Sequence, residues 1–124
     1  MRKQYHFRHS DRGLLAWDVD RLILLSKHLP IKVIRLSPQD ELDEDYWFQG
    51  QTLPTVNAIV AHFQLIQDCN LSYPIILCKQ GRVMDGMHRV AKAKLEGLDT
   101  IKAVQFESEV NPDYINVDPE SLPY

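Results

Sequence analysis

The stretch PIILCKQGRVMDGMHRVAKAKLEG, residues 74–97, decides how the rest of the chain is interpreted. Residues 74–78 are apolar apart from the small cysteine and predict a short buried strand. Residues 79–82 predict a hairpin turn, because Gly81 can take the positive φ angle that such a turn needs. Residues 83–84 then predict a return strand. The stretch therefore opens with a β-hairpin.

A helix is predicted directly after this hairpin. Asp85 and Gly86 break the return strand, and the helix runs from Gly86 to about Glu96. Gly97 suits the C-terminal cap, where a left-handed residue is common. Four side chains recur at helical spacing and are expected to face inward: Met87, Val90, Ala91 and Leu95.

Two further strands and two further helices are predicted around this stretch. β-Branched residues bounded by prolines predict a strand at 31–36, and residues 101–106 predict a final strand. One helix is predicted at 18–30, with Asp18 as its N-cap. Another is predicted at 55–68, with one apolar stripe expected to pack inward: Val56, Ile59, Val60, Phe63 and Ile66.

These elements predict an α/β (α+β) fold with a small mixed β-sheet and helices. The sheet is expected to be mixed because a helix between two of the strands allows a crossover connection. The chain of 124 residues suits a single domain, 1–124. Its core is expected at about 31–107, followed by an extended C-terminal tail at 108–124. Residues 1–13 are polar and rich in His and Arg, and are expected to be irregular.

Composition and charge narrow the class of protein. With 44% hydrophobic and 25% charged residues, the chain is typical of a soluble globular protein. No run of about 20 apolar residues predicts a membrane span, and the polar start does not suit a signal peptide. We therefore expect a cytoplasmic location and no membrane partner. A net charge of −3 with scattered basic residues argues against specific duplex DNA binding by this chain alone.

The two cysteines, Cys69 and Cys78, lack the spacing of a metal site. A cysteine of this kind behaves as a small hydrophobic residue. Both are expected to be free, largely buried thiols.

The break between strand and helix has the features of an anion site. A helix that starts there presents unpaired backbone N–H groups at a positive dipole end, which favours phosphate. Gly86 lets a ligand approach the backbone, Arg89 offers a cationic fork, and His88 can donate a hydrogen bond or move a proton. Alternatively, Asp85 is an ordinary N-cap, and His88 and Arg89 are surface residues of the first turn. The residue types alone leave both interpretations open.

The run at 74–93 resembles the core of the ParB/sulfiredoxin superfamily, in an Asp-Gly-x-His-Arg variant. Members share a strand–turn–strand, a short glycine-containing motif that ends in a basic residue, an alanine-rich helix and a further strand. The resemblance covers about residues 74–106 and extends to the strand at 31–36. It implies a ParB/sulfiredoxin-like fold that binds a nucleotide, which is CTP, ATP or ADP in different members. The phosphate-binding residues that it implies are Gly86, Met87, His88 and Arg89.

Two departures from the superfamily restrict what the resemblance implies. Sulfiredoxins carry a catalytic cysteine directly before the His-Arg pair, where this chain has Met87, and a thioether cannot replace a thiolate nucleophile. We therefore expect no sulfiredoxin activity. ParB partition proteins carry a helix-turn-helix domain after this core, where this sequence has a short proline-punctuated tail.

The Asp-Gly-x-His-Arg form is similar to that of a free serine kinase in the same superfamily, which uses a glutamate after its first strand as catalytic base. Glu41 lies about where that residue would fall, although Asp40 and Glu44 are equally eligible on sequence alone. The candidate catalytic residues are Glu41, Asp85 and His88. The acidic run at 40–45 is otherwise interpreted as a solvated face.

A divalent metal ion is expected beside Asp85. A carboxylate and a phosphate about 4 Å apart repel by roughly 4 kcal/mol at an effective dielectric of 20. A Mg²⁺ ion between them reverses the sign of that interaction, because it binds one or two carboxylates together with phosphate oxygens. Asp85 is therefore predicted to be a Mg²⁺ ligand.

Three ring side chains have two interpretations each. His62 borders the stripe of the 55–68 helix and is interpreted as a satisfied core histidine in preference to a site residue. Tyr46 and Trp47 could stack on a nucleotide base, since aromatic faces accept any base. Core packing is the preferred interpretation for both.

Three functions follow from the sequence. The first is a ParB-like nucleotide- or phosphate-binding domain that acts as an ATP- or ADP-dependent phosphotransferase or nucleotide hydrolase, since phosphoryl transfer needs mainly positioning and charge neutralisation. The second is a non-catalytic nucleotide-sensing or protein-partner module. A ParB-like nuclease ranks last, because nothing in the sequence resembles a two-metal nuclease cluster.

Overall fold

The computed structural model describes residues 3–36 and 40–124. These described residues form seven strands and three helices, in the order β1 (Tyr5–Ser10), β2 (Gly13–Asp18), α1 (Val19–Ser26), β3 (Lys32–Arg35), α2 (Val56–Asp68), β4 (Ile75–Leu77), β5 (Val83–Asp85), α3 (Met87–Leu95), β6 (Thr100–Gln105) and β7 (Tyr114–Ile115). Short 3-10 helices lie at Asp40–Asp43 and Pro119–Ser121. The predicted α+β class is confirmed.

The strands form two sheets. One has three strands in the order β1-β2-β7, and the other has four strands in the order β3-β6-β4-β5. In the second sheet β3 is antiparallel to β6, with Ile34 opposite Ile101. The predicted hairpin is present as antiparallel β4 and β5, with Gly81 at a φ of 85° in its turn.

The expectation that residues 1–13 are irregular is wrong, because β1 and β2 form an antiparallel hairpin from Tyr5 opposite Asp18 to Ser10 opposite Gly13. The polar composition misled the prediction. His6 is buried, and its Nε2 accepts a hydrogen bond from Arg8 Nε at 2.9 Å. A polar strand can pack inward when its polar groups satisfy one another in this way.

The chain divides into two compact units, each with its own buried residues. The first unit comprises residues 1–30, 76–85 and 104–124. It contains one apolar cluster: Leu15, Trp17, Leu22, Leu29, Ile76, Cys78, Met84, Val104 and Phe106. Within this unit the tail is tied down rather than loose, since β7 pairs with β2 through Leu15 opposite Ile115.

The second unit comprises residues 31–75 and 86–103, and it holds α2 and α3. Its buried apolar side chains come from both helices, from the first residue of β4 and from β6: Ile66, Ile75, Met87, Val90, Ala93, Ile101 and Ala103. Lys92 of α3 donates hydrogen bonds to the carbonyls of Gln67 and Cys69, at 2.9 and 2.8 Å. These bonds satisfy backbone acceptors at the C-terminal end of α2 and fix the two helices side by side.

The predicted packing faces of the two helices need correction. Of the α2 stripe only Ile66 is buried, while Val56 is 78% and Phe63 is 49% exposed. The helix meets α3 through a face about a quarter-turn away, which carries His62, Ile66 and Cys69. On α3, Met87 and Val90 are buried as predicted, but Leu95 is 68% exposed.

Both of the predicted helix starts are confirmed. Asp18 caps α1 and accepts from the N–H of Asp20, and Thr55 caps α2 and accepts from the N–H of Ala58. The first helix ends at Ser26, four residues earlier than predicted from Pro30. Of the helices in the described part of the chain, none is long and apolar enough to cross a membrane.

Candidate functional site

The N-terminus of α3 is opened by a glycine. Gly86 is the N-cap, with φ 105° and ψ 19° in the left-handed region, and Asp85 is the last residue of β5. The interpretation of Asp85 as the N-cap is therefore wrong, because the left-handed backbone that the chain adopts here falls one residue later. Gly86 has no side chain with which to cap the first-turn N–H groups.

Arg89 is folded back over this glycine. A Cβ added to Gly86 would lie only 2.7 Å from Arg89 Nη2 and 2.7 Å from a methyl carbon of Ile75. Arg89 Nη2 also donates to the carbonyl of Pro74 at 3.3 Å. The guanidinium charge is thereby fixed against the first turn of the helix, at the same end as the positive dipole.

The side chain of Met87 is not at the surface, where a ligand-binding side chain would need to lie. Its side chain is buried, with 6% exposure. Only its backbone N–H can therefore contribute to the predicted phosphate contact.

His88 is paired with His62 of α2. The distance between His62 Nδ1 and His88 Nε2 is 2.8 Å, their ring centroids lie 5.1 Å apart and their planes are inclined by only 19°. Two imidazoles at this centroid distance and with this short nitrogen contact meet edge to edge in nearly one plane. One ring donates an N–H to the other.

The indole of Trp47 covers this imidazole pair. Its centroid is 4.7 Å from that of His62 and 4.7 Å from that of His88, with interplanar angles of 24° and 13°. Because the indole is equidistant from both rings, it lies over the hydrogen bond that joins them. Phe48 closes a further side, edge-on to His62 at 5.3 Å and 75°.

A turn held by Asp45 positions Trp47. The two carboxylate oxygens of Asp45 accept from the N–H groups of Phe48 and Gly50, at 3.1 and 2.9 Å. Gln49 adds a hydrogen bond from its side chain to the carbonyl of Tyr46. Part of the acidic run thus organises the aromatic loop, in addition to facing solvent.

Both histidines of the pair favour the neutral form. Burial, the neighbouring His62 and the charge of Arg89 lower the pKa of His88 to about 4. Burial also lowers the pKa of His62. Near neutral pH the pair therefore consists of two uncharged rings that share one hydrogen bond.

Glu41 is the most buried carboxylate of the acidic run in the described residues, with 6% exposure. It lies on the 3-10 helix Asp40–Asp43 and has interaction partners of its own. Glu44 is exposed, and the side chain of Asp40 lies outside the described ones. Burial therefore distinguishes Glu41 from Glu44 as a candidate base.

Two further predictions from the sequence concern a metal site and the two cysteines. Within 3–36 and 40–124, no group of three or more His, Cys, Asp or Glu side chains is arranged to hold a metal ion. Mg²⁺ bound with a nucleotide needs only one or two carboxylates, so Asp85 stays a prediction. Both cysteines are free as predicted, with Cys78 buried and Cys69 partly buried.

The sequence did not predict that His62 and Trp47 contact His88. A helical-wheel argument could have found His62, because it shares a face with Ile66 and Cys69. No sequence signal places Trp47 over the pair, since that contact depends on the loop conformation.

Comparison of the chain with protein families, with curated proteins and with solved structures found no match in any of the three.

Proposed function

We propose that the chain binds a nucleotide through its phosphates at the N-terminus of α3. The observation that carries the proposal is the glycine N-cap with Arg89 folded back across it. Uncapped N–H groups, the helix dipole and a guanidinium then converge on one point, which is the combination that phosphate oxygens favour. The resemblance of the Asp-Gly-Met-His-Arg motif to the ParB/sulfiredoxin superfamily supports the same ligand.

In this proposal the nucleotide base stacks on the indole of Trp47. One face of the Trp47 indole is taken by the imidazole pair. A base can therefore stack only on the opposite face, where π-stacking accepts adenine and cytosine alike. ATP, ADP and CTP are the nucleotides to test first.

Catalysis is a second candidate, favoured by the burial of Glu41. A positioned carboxylate can act as general base on an acceptor hydroxyl or on water. The protein would then be a phosphotransferase or a nucleotide hydrolase, and the alternative is a nucleotide sensor. Glu41→Gln should abolish turnover and leave nucleotide affinity intact in an enzyme, whereas a sensor has no turnover to lose.

Thermal unfolding in the presence of nucleotides tests the binding proposal. A ligand at 100 times its dissociation constant adds about 2.7 kcal/mol of stability, which amounts to roughly 5–15 °C in Tm for a domain of this size. Arg89→Gln should lose most of this gain. Lys94→Gln removes the same charge from the last turn of α3 and should keep the gain.

No change in the Tm of the wild-type protein with any of the three nucleotides, with or without Mg²⁺, would contradict the proposal. An equal gain in the Arg89→Gln variant would show that binding occurs elsewhere.

A further inference from the structure

The His62–His88 pair restricts how His88 can meet a ligand. Its Nε2 is occupied by His62 Nδ1 at 2.8 Å. Among residues 3–36 and 40–124, no protein group bonds the other ring nitrogen of either histidine. Any hydrogen bond from the His88 ring to a ligand must therefore use Nδ1.

The tautomers of the two rings are linked. A neutral imidazole carries one N–H, so only one of the two facing nitrogens can hold a proton. If His62 donates, then His88 has its proton on Nδ1, and His62 Nε2 is bare. If His88 donates, the roles are reversed, and the proton sits on His62 Nε2. The two outer nitrogens always present one donor and one acceptor.

The rings around the pair keep this arrangement in place. Trp47 covers the shared hydrogen bond from above, and Phe48 packs edge-on against His62. The bonds from Lys92 to the end of α2 hold the two helices at the spacing that the pair needs. A hydrogen bond that is shielded from water and held between two helices is more persistent than one between surface side chains.

We propose that His62 is a positioning residue of the phosphate site, and that it sets the tautomer of His88 through this pair. The proposal rests on the proposed function for the identity of the ligand, but the pairing itself does not. An ionised phosphate oxygen accepts a hydrogen bond and cannot donate one. Phosphate binding therefore selects the tautomer in which His88 Nδ1 carries the proton. His62 Nδ1 then donates to His88 Nε2.

The selection moves protons without a net change in charge. When His88 gains a proton at Nδ1, its Nε2 proton passes to His62 Nδ1, and the proton on His62 Nε2 leaves to water. Uptake takes the proton from water, breaking an O–H bond and forming the Nδ1–H bond of His88. The transfer between the rings breaks one N–H bond and forms another, and release breaks the Nε2–H bond of His62 and returns one proton to water. The pair can therefore relay one proton between the phosphate site and the outer edge of α2.

The charged neighbours favour a neutral relay. The groups that act on His88 are His62 from α2 and the guanidinium of Arg89 on its own helix, while the loop supplies the uncharged rings of Trp47 and Phe48. The Arg89 guanidinium repels a positive charge on His88, and burial disfavours a charge on either ring. The relay should therefore work with uncharged rings near pH 7.

Nitrogen NMR of ¹⁵N-histidine-labelled protein tests the pairing without any ligand. The wild-type protein should show a scalar coupling across the hydrogen bond between His62 Nδ1 and His88 Nε2 at pH 7.5. His62→Phe keeps a ring but no hydrogen bond, and His88 should then take the tautomer mixture of a free imidazole. His62→Asn places an amide near the former Nδ1 and should restore a single His88 tautomer.

Inorganic pyrophosphate is the second arm of the experiment. It should shift wild-type His88 to the Nδ1–H tautomer, and His62→Phe should weaken pyrophosphate binding by at least threefold while His62→Asn recovers it. Absence of the coupling in the wild type, with both histidines titrating independently near pH 6.5, would overturn the proposal. A coupling that is present with no response to pyrophosphate would leave the positioning of His88 supported and contradict the proposed phosphate site.

Discussion

The two units each place a tryptophan beside histidine, and they use that arrangement differently. In the first unit His6 is buried, 5.6 Å from the Trp17 ring, and accepts a hydrogen bond from Arg8. In the second unit Trp47 covers the His62–His88 pair, whose rings stay partly accessible. The first arrangement closes a core, and the second leaves two ring nitrogens open to a ligand.

The chemistry around His6 explains why it is structural. The Arg8 guanidinium bonds His6, lies 5.7 Å above Trp17 and has Nη1 3.6 Å from the Cys78 sulfur. Burial and the charges of Arg8 and Arg82 lower the pKa of His6 to about 3. A buried neutral imidazole with a cationic donor has no spare capacity for a ligand. Exposure, rather than residue type, therefore separates the core histidine His6 from the site histidines His62 and His88.

The largest expected effect is on acid stability through His6. Its folded pKa is lowered, so its contribution is fully present above pH 6.5 and is lost as the pH falls from 6.5 towards 3. The loss should be on the order of 4 kcal/mol. Urea unfolding of the wild type at pH 7.5 and at pH 4 measures it.

Two variants separate the charge of His6 from its hydrogen bond. His6→Gln retains an acceptor for Arg8 and should flatten the stability between pH 6.5 and 3. His6→Leu leaves the Arg8 donor unpaired and should cost about 1–3 kcal/mol at pH 7.5. A pH profile of His6→Gln as steep as that of the wild type would assign the acid sensitivity to another group.

His88 should show the same sign with a smaller size. Its pKa is lowered to about 4, so its contribution is present above pH 6.5 and is lost as the pH falls from 6.5 to 4. Because the ring is only half-buried, solvent screening should reduce the effect to about 1–2 kcal/mol. The difference between His88→Gln and wild type in urea unfolding, taken at pH 7.5 and 4, gives this value. An effect equal to that of His6 would remove the distinction between the two environments.

Metal dependence of nucleotide binding tests the predicted role of Asp85 as a Mg²⁺ ligand. If Mg²⁺ lies between this carboxylate and the phosphates, EDTA should weaken nucleotide binding at least tenfold, or about 1.4 kcal/mol. Asp85→Asn should bind equally with and without Mg²⁺. Equal wild-type affinity in EDTA and in Mg²⁺, by calorimetry, would leave Arg89 as the charge that neutralises the ligand.

The smallest expected effect concerns the loop that holds Trp47. Asp45→Ala removes two hydrogen bonds to backbone N–H groups at an exposed site, which should cost about 0.5–1 kcal/mol. The NMR signals of the Trp47 indole should also move towards those of a free side chain. Asp43→Ala, an exposed change in the neighbouring 3-10 helix, should alter neither. A Trp47 signal unchanged in Asp45→Ala would mean that the imidazole pair alone holds the indole.

Local patterns predicted elements of both units but not the N-terminal hairpin of β1 and β2. Short-range signals sufficed for the β4–β5 hairpin, for α3, for the N-cap Asp18 and for the start of α2. The face of α2 was mispredicted because apolar periodicity favoured Val56 and Phe63, whereas the helix packs through His62 and Ile66. Burial of polar groups depends on partners distant in sequence, which periodicity does not contain.

Only part of the candidate site was predicted, because the rest depends on partners that are distant in sequence. The roles suggested for Gly86 and Arg89 follow from a strand–turn–helix pattern, which is local, and the structure brings the two together. The partnership of His62 with His88 spans 26 positions and is completed by a loop side chain, Trp47. No spacing rule connects residues on two helices and a loop.

Calorimetric titration of ATP, ADP and CTP into the wild type, Gly86→Ala and Gly81→Ala tests whether a nucleotide binds at the N-terminus of α3. Both glycines have a positive φ, but a Cβ at Gly86 meets Arg89 and Ile75 within 2.7 Å, whereas one at Gly81 has its nearest neighbour at 3.8 Å. We expect at least one nucleotide to bind to the wild type. Its affinity should fall at least tenfold in Gly86→Ala and should be unchanged in Gly81→Ala. Equal affinity in the wild type and Gly86→Ala, or no binding by the wild type, would contradict this expectation.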